Sequence, residues 1–227
     1  MERKLTTSLV ITFSLDNMSK ATEYLSLKDK RLAKLIQYVG DIQRHEVEDL
    51  FSFIVCEIVG QMISSKVRNV LISRLLSLCS SHISVESILR LSIIDLRGIG
   101  LSYAKATYIL NFAKAVSENE IELDKIKNLE DDEVIIQLTS IKGIGIWTAK
   151  MVLLFALNRP NVLPVEDGAF IQGFCWLYNK QKTDKKAIQR ISSKWNPYSS
   201  TAALYLYECV NQNLIAINIR DFLNELE

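Results

Sequence analysis

Two features of this sequence, a carboxylate after a proline and a pair of closely spaced glycines, have residue types and spacing that support chemistry. Pro164 favours an extended chain, and Asp167 follows it directly before an apolar helical pattern. A carboxylate fixed at a helix start can stabilise a developing positive charge, or orient and deprotonate a water molecule. Glu166, one residue earlier, is the rival carboxylate.

The glycine pair predicts a helix, a tight turn and a second helix. Gly143 and Gly145 flank one isoleucine, and apolar residues at helical spacing resume at Trp147. Glycines adopt backbone angles that a Cβ would forbid, and they let a phosphate approach closely. The first N–H groups of the following helix, at the positive end of its dipole, form an anion site. The turn therefore suits the phosphate backbone of a nucleic acid.

The stretch from Thr139 to Phe170 resembles the signature of the helix-hairpin-helix DNA glycosylases. Leu138 to Ala149 matches the family's hairpin, L-x-x-I-x-G-I-G-x-W-T-A, and the R-P-x-x-x-P-x-x-D segment that carries the catalytic aspartate ends at Asp167. A lone Gly-Ile-Gly would be weak support, but this motif is long and ordered. Within the superfamily, the chain is most similar to the 3-methyladenine DNA glycosylase II branch, which excises alkylated purines.

The resemblance implies a base excision repair enzyme that hydrolyses the N-glycosidic bond of alkylated purines in DNA and leaves an abasic site. Asp167 is the expected catalytic residue, and an aspartate there also suits a helix N-cap. Strand-nicking members of the superfamily carry a lysine where this chain has Trp147, so a monofunctional hydrolase is expected. The alternatives are a noncatalytic protein that binds damaged DNA and a helical scaffold that binds no nucleic acid.

The resemblance also implies an aromatic base pocket. A purine alkylated at N3 or N7 is cationic, and an electron-rich ring attracts it. Trp147 and Tyr207 are the expected walls, with core packing as the alternative for both. Tyr207 stands where the family often has tryptophan, which leaves a smaller wall, and Ser199 stands where the family usually has a basic arginine.

Residues 60–64 match the family's G-Q-Q/L-L/I-S turn, which faces DNA between two helices. Met62 takes the place of the apolar wedge that enters the base stack when the target base is extruded. A flexible thioether suits an irregular gap, and the alternative is a core methionine. The residues expected to contact DNA at this turn and at the hairpin are Gln61, Met62, Ser64, Gly143, Ile144, Gly145 and Thr148.

Similar hairpins hold a monovalent cation through backbone carbonyls that bridge the loop to a DNA phosphate. By motif position, those carbonyls would belong to Thr139, Ile141 and Gly143. No redox or organic cofactor is expected to be required. The iron–sulfur motif of some relatives is absent, because the cysteines are scattered and lack metal-ligand spacing: Cys56, Cys79, Cys175 and Cys209.

A second, weaker glycine pair precedes the central motif. Gly98 and Gly100 flank Ile99, and Ser102 can cap the helix that follows. This turn could be a second phosphate contact through backbone N–H groups and Lys105, or a structural turn with no ligand. The resemblance favours a packing role.

Size and composition predict an all-α fold in two lobes. The chain has 227 residues, 48% of them hydrophobic, and only 3 prolines, which is typical of a compact helical protein. One lobe is expected from residues 1–44 with 166–227, and the other from residues 45–165, ending in the hairpin. Asp167 is expected in the cleft between them. At most a short β remnant is expected at the N-terminus.

The net charge of +1 conceals an uneven distribution. Residues 118–133 are rich in acid and residues 180–194 are basic, which predicts either two opposed faces or two ordinary solvated surfaces. No apolar run reaches membrane-spanning length, and the N-terminus lacks a signal-peptide pattern. The expected partner is double-stranded DNA with a damaged base, and a monomer located in the cytoplasm with the nucleoid is expected.

Overall fold

The computed structural model describes residues 15–44, 47–181 and 184–224. All regular elements within these ranges are helical, so the predicted all-α class is confirmed. The β remnant predicted at the N-terminus lies outside the described residues. None of the helices in the described part of the chain combines the length and apolarity needed to cross a membrane.

The α-helices follow one another along the chain with short connections. In chain order they are α1 (Leu15–Lys28), α2 (Lys30–Val39), α3 (Leu50–Gly60), α4 (Ser65–Leu78), α5 (Val85–Leu89), α6 (Ile93–Gly98), α7 (Tyr103–Ser117), α8 (Leu123–Ile126), α9 (Asp131–Ser140), α10 (Ile146–Met151), α11 (Gly168–Tyr178), α12 (Lys185–Ser192), α13 (Ser199–Asn211) and α14 (Ile219–Asn224). A π-helical turn, Val152–Ala156, continues α10.

The chain forms two compact units, one from Met1–Glu46 with Pro160–Glu227 and the other from Val47–Arg159. The sequence predicts the boundary between the two units after residue 165, whereas in the structure it falls between Arg159 and Pro160. The reason is two hydrogen bonds with α13: the Ser200 N–H donates to the Pro160 carbonyl at 3.0 Å, and the Val162 N–H donates to Ser200 Oγ at 2.8 Å. The segment 160–165 therefore belongs with the unit that contains Asp167.

In the unit built from both chain ends, α13 packs against α1, α2 and α11. A Cβ at Gly173 would lie 2.4 Å from the Leu206 carbonyl oxygen, so α11 and α13 approach this closely because position 173 is glycine. The carboxylate of Asp29, which caps α2, is buried and accepts hydrogen bonds from Tyr178 Oη at 2.8 Å and Trp195 Nε1 at 3.3 Å. These donors offset the cost of burying its charge.

In the other unit, α3 is the central helix. Six of its residues are buried, and it packs against α4, α7, α10 and the π-helical turn. Phe51 stacks on Phe112 of α7 with ring centroids 5.2 Å apart. The residues that follow α3, from Gln61 to Ser64, therefore leave the core beside the α9–α10 hairpin.

Candidate nucleic-acid interface and active site

The α9–α10 hairpin has the geometry that the glycine spacing predicts. Helix α9 ends at Ser140, and the Ile144 N–H donates to the Ile141 carbonyl at 3.0 Å to close the turn. Gly145 is the N-cap of α10, so no side chain caps the first N–H groups of that helix. Such N–H groups at a helix start suit an anion.

Gly143 must be glycine for two reasons. Its φ of +107° is unfavourable for any residue with a Cβ, and a Cβ there would lie 2.2 Å from Cγ of Tyr108 on α7. The side chains of Ile141 and Ile144 are buried on either side of it. Of the predicted DNA contacts, Ile144 can therefore offer only its backbone.

The turn after α3 presents Met62 to solvent. Its relative exposure is 101%, which excludes the core alternative. Its φ is +57°, a left-handed conformation that costs energy for a residue with a side chain. Ser64, also predicted to contact DNA, is exposed and its hydroxyl accepts a hydrogen bond from the Val67 N–H as the N-cap of α4.

Gln61 points into the protein rather than outward. Its Nε2 donates to the Gly143 carbonyl at 3.0 Å and to Thr148 Oγ1 at 3.2 Å. Thr148 is itself buried, so its hydroxyl contributes to this internal contact. The structure thus joins the turn at residues 61–64 directly to the hairpin. The side chains of Gln61 and Thr148 meet inside the protein, whereas the sequence predicts that they contact DNA.

Helix α7 supports both of these loops. Lys105 Nζ donates to the Val59 carbonyl at 2.8 Å, near the C-terminus of α3, and burial lowers the pKa of this ammonium. Tyr108, three residues later on the same face, lies beneath Gly143. The structural alternative for Lys105 is therefore the one that the geometry favours, because its charge is engaged by a carbonyl.

Asp167 is held at the start of α11. Its carboxylate accepts a hydrogen bond from the Phe170 N–H at 2.8 Å, and its own N–H donates to the Pro164 carbonyl at 3.0 Å. The side chain is half-buried, whereas Glu166 is exposed. The local sequence explains this arrangement, because proline fixes the approach and aspartate is a favoured N-cap. The carboxylate is therefore fixed and still accessible.

The two aromatic candidates lie in different units. Trp147 is half-buried in the first turn of α10, and Tyr207 is half-buried on α13, most of whose other residues are buried. Neither ring is fully enclosed in a core. The departure at Ser199 has a structural explanation: the residue is 6% exposed, and its Oγ donates to Asn161 Oδ1 at 2.6 Å. Ser199 thus ties the segment before Asp167 to α13.

Sequence reasoning missed the supporting contacts. Tyr108 carries no motif, and its only sequence signal is helical spacing from Lys105. Arg159 belongs to the matched Arg-Pro pair, and its Nη2 donates to the carbonyls of Lys127 at 3.1 Å and Leu129 at 2.6 Å, while its Nε pairs with Asp131 Oδ1 at 3.3 Å. This arginine therefore anchors the acidic segment before α9.

Charge is distributed unevenly on the described surface. In the unit Val47–Arg159, Glu122 and Asp124 line a cavity of about 560 Å³ together with Glu48 and Asp49. Lys127 and His82 also line this cavity, but the four carboxylates leave its lining net negative, which disfavours phosphate. In the other unit, basic side chains of the 180–194 stretch are exposed: Lys180, Lys186, Arg190 and Lys194. No group of side chains with metal-binding geometry occurs among the described residues.

Comparison with known proteins identifies relatives of this architecture. A sequence model of the HhH-GPD superfamily base excision DNA repair proteins matches residues 55–197. The chain resembles the structure of a Schizosaccharomyces pombe 3-methyladenine DNA glycosylase in complex with abasic DNA, with a TM-score of 0.79, 28% identity, and coverage of 85% of this chain and 97% of that one.

Two bacterial proteins are also similar. A DNA-3-methyladenine glycosidase from Bacillus halodurans has a TM-score of 0.75 and 31% identity, covering 90% of this chain and 94% of that one. A Bacillus subtilis DNA-3-methyladenine glycosylase is 32% identical over 123 residues, 54% of this chain, and the match spans only 41% of that longer protein. The region that the superfamily model matches, residues 55–197, contains the turn at residues 61–64, the hairpin and Asp167. The chain therefore belongs to the HhH-GPD superfamily of base excision DNA repair proteins.

Proposed function

We propose that this protein is a monofunctional DNA-3-methyladenine glycosylase, which hydrolyses the N-glycosidic bond of alkylated purines in duplex DNA and leaves an abasic site. The observation that carries the proposal is the Asp167 carboxylate, fixed by the Phe170 N–H and left accessible. The names of the similar glycosylases support the alkylated purine as substrate class.

In this proposal, backbone N–H groups of the hairpin bind a phosphate of the damaged strand. The contact comes from Gly143, Ile144 and Gly145, because α10 begins without a side-chain cap. Met62 enters the base stack and fills the space that the extruded nucleotide leaves. Extrusion is required because the bond to be broken is inaccessible in a stacked duplex.

The chemical step follows from charge. Breaking the C1′–N bond places positive charge on the sugar, and Asp167 stabilises it and orients or deprotonates the attacking water. Trp147 and Tyr207 attract the cationic base through their ring faces. Since Trp147 occupies the place of the Schiff-base lysine of nicking relatives, the abasic strand stays intact.

The proposal includes a monovalent cation at the hairpin and no organic cofactor. Its ligands would be the carbonyls of Thr139, Ile141 and Gly143. Two of them already accept hydrogen bonds, Ile141 from the Ile144 N–H and Gly143 from Gln61, and each keeps a second lone pair for a cation. We further propose that the protein is a monomer that acts on the chromosome in the cytoplasm.

The variant Asp167→Asn tests the function. Asparagine caps a helix as well as aspartate does, so the fold should be retained. On methylated duplex DNA, release of free purines measured by chromatography should fall at least about 100-fold, because the charge that stabilises the transition state is removed. Binding to a duplex with an abasic analogue, measured in parallel, should stay within about twofold, since no phosphate contact is changed.

Three outcomes contradict the proposal. Base release at the wild-type rate by Asp167→Asn would show that another group performs the chemistry. No base release by the wild-type protein, together with tight binding to the abasic analogue, would favour the noncatalytic damaged-DNA binder. Binding that does not weaken as salt rises would exclude phosphate contacts altogether.

A further inference from the structure

The hydrogen bonds of Gln61 connect two loops that are 82 residues apart in the chain. Residue 61 begins the turn after α3. Its amide donates to the carbonyl of Gly143, which precedes α10, and to the hydroxyl of Thr148, in the first turn of α10. The next residue is Met62, the most exposed large apolar side chain of the described structure. The Gln61 side chain therefore links the hairpin to the backbone position next to Met62 in the chain.

The backbone at Met62 has a conformation that is unfavourable for a residue with a Cβ. A left-handed φ of +57° costs about 1 kcal/mol or more for a residue with a Cβ, and it persists where the surroundings impose it. The Gln61 amide provides that restraint on one side of Met62. On the other side, the Ile63 N–H donates to the Gly60 carbonyl at 3.4 Å, which closes the turn weakly.

The preceding end of the turn is also fixed. The Lys105 ammonium holds the Val59 carbonyl, and the Arg68 side chain covers Gly60 so closely that a Cβ there would lie 2.8 Å from Arg68 Cδ. Arg68 is itself held by Glu57 at 2.7 Å. These contacts anchor α3, whereas Gln61 ties the turn to the hairpin.

We propose that Gln61 is a positioning residue that couples phosphate binding at the hairpin to insertion of the Met62 wedge. The inference rests on the proposed function and adds the way in which two DNA contacts act together. When the hairpin binds a phosphate, the position of Gly143 is fixed relative to the strand, and the Gln61 amide fixes Met62 relative to Gly143. Met62 then lies at a defined distance from the bound phosphate, so phosphate binding at the hairpin also positions Met62 for insertion into the base stack.

The inference predicts a particular pattern for Gln61→Met, which keeps the length of the side chain and removes the amide. Wedge insertion can be followed by the fluorescence of 2-aminopurine placed beside an abasic analogue in a duplex. Gln61→Met should weaken the fluorescence change about as much as Met62→Ala does, and it should lower single-turnover base release roughly 10-fold to 100-fold, as expected for a misplaced group. Affinity for an undamaged duplex, and its salt dependence, should remain at the wild-type value because the phosphate contacts are intact.

A double-mutant cycle separates positioning from an independent DNA contact. If Gln61 acts through the wedge, Gln61→Met combined with Met62→Ala should be no worse than Met62→Ala alone. Thr148→Val removes the hydroxyl that accepts the second hydrogen bond of the Gln61 amide and keeps the shape of the side chain. It should produce a smaller defect of the same kind. The matched control is Gln137→Met, on the exposed surface of α9, which should behave like the wild type.

Three results would overturn the inference: additive effects of the two substitutions, a wild-type fluorescence change in Gln61→Met, or a loss of undamaged-duplex affinity with a smaller salt slope. The first and third would assign Gln61 a direct contact with DNA. Because the fluorescence measurement needs no turnover, it also separates this inference from the proposed function, which is tested by base release from the wild type and from Asp167→Asn.

Discussion

The protein contains two Gly-Ile-Gly turns that differ in which of their two glycines has a positive φ. In the turn between α6 and α7, residues 98–100, it is the second glycine that has a positive φ, +104° at Gly100. In the turn between α9 and α10, residues 143–145, it is the first, +107° at Gly143. The same tripeptide therefore enters its following helix in two ways.

The consequence is seen at the start of each following helix. After Gly100 the chain continues through Leu101 to Ser102, whose hydroxyl accepts the Lys105 N–H at 3.2 Å and caps α7. After Gly143 the second glycine is itself the N-cap, and α10 begins without a side-chain cap. An N-terminus already capped by the protein has less to offer a phosphate than an uncapped one. This difference favours the second turn as the DNA contact and the first as a structural turn.

The first turn also contacts the protein in a different manner. Arg74 Nη1 donates to the Ile99 carbonyl at 2.9 Å, so a basic side chain of α4 bonds to the middle residue of this turn. In the second turn, the neutral amide of Gln61 bonds instead to the carbonyl of the first glycine, Gly143. The guanidinium beside the first turn is therefore bonded to a carbonyl of that turn, which agrees with the packing role that the resemblance favours.

The largest expected contrast comes from alanine at the two strained glycines. Gly143→Ala should destabilise the protein by about 3 kcal/mol or more, because backbone strain and overpacking against Tyr108 each cost about 1–3 kcal/mol. Gly100→Ala should cost about 1–2 kcal/mol, since its nearest neighbour is the flexible tip of Leu71 at 3.2 Å. Chemical denaturation measures both, and equal losses would contradict the difference in packing.

A smaller contrast comes from exchanging the caps. Gly145→Ser gives α10 the side-chain cap that α7 has, so it should leave stability unchanged or slightly raised and weaken duplex binding several-fold, because the hydroxyl competes with phosphate for the same N–H groups. Ser102→Ala should lower stability by about 1 kcal/mol and leave duplex affinity unchanged. Binding titrations that show an affinity loss for Ser102→Ala instead would assign the first turn to the DNA interface.

The smallest contrast concerns two lysines, one near each turn. Lys142 is exposed in the second turn, so Lys142→Met should reduce the slope of log affinity against log salt by about 1, as for one lost phosphate contact. Lys105→Met should leave that slope unchanged, since its ammonium is bonded to Val59. Titrations at several salt concentrations measure both slopes, and a reduced slope for Lys105→Met would contradict the structural role.

Much of the fold and part of the site could be predicted from the sequence. Apolar spacing gave the helical class, and Gly40 ends α2 with a φ of +72°, as a C-cap glycine does. The cap at Asp167, the exposed position of Met62 in a turn and the cap at Ser102 all depend on residues within a few positions of each other. The boundary between the units was placed several residues too late, because the hydrogen bonds of Pro160 and Val162 with Ser200 leave no sequence signal.

The order of residues specifies the local features of this protein: where helices begin and end, which positions are apolar, and which motif carries the carboxylate. These depend on contacts three or four residues apart, which the order of residues specifies directly. Three features emerge from the folded chain instead: which glycine of each turn takes the positive φ, the position of Tyr108 beneath Gly143, and the contact of Gln61 with the hairpin. Those features join residues 35 and 82 positions apart, and close packing between helices rather than local preference sets their geometry.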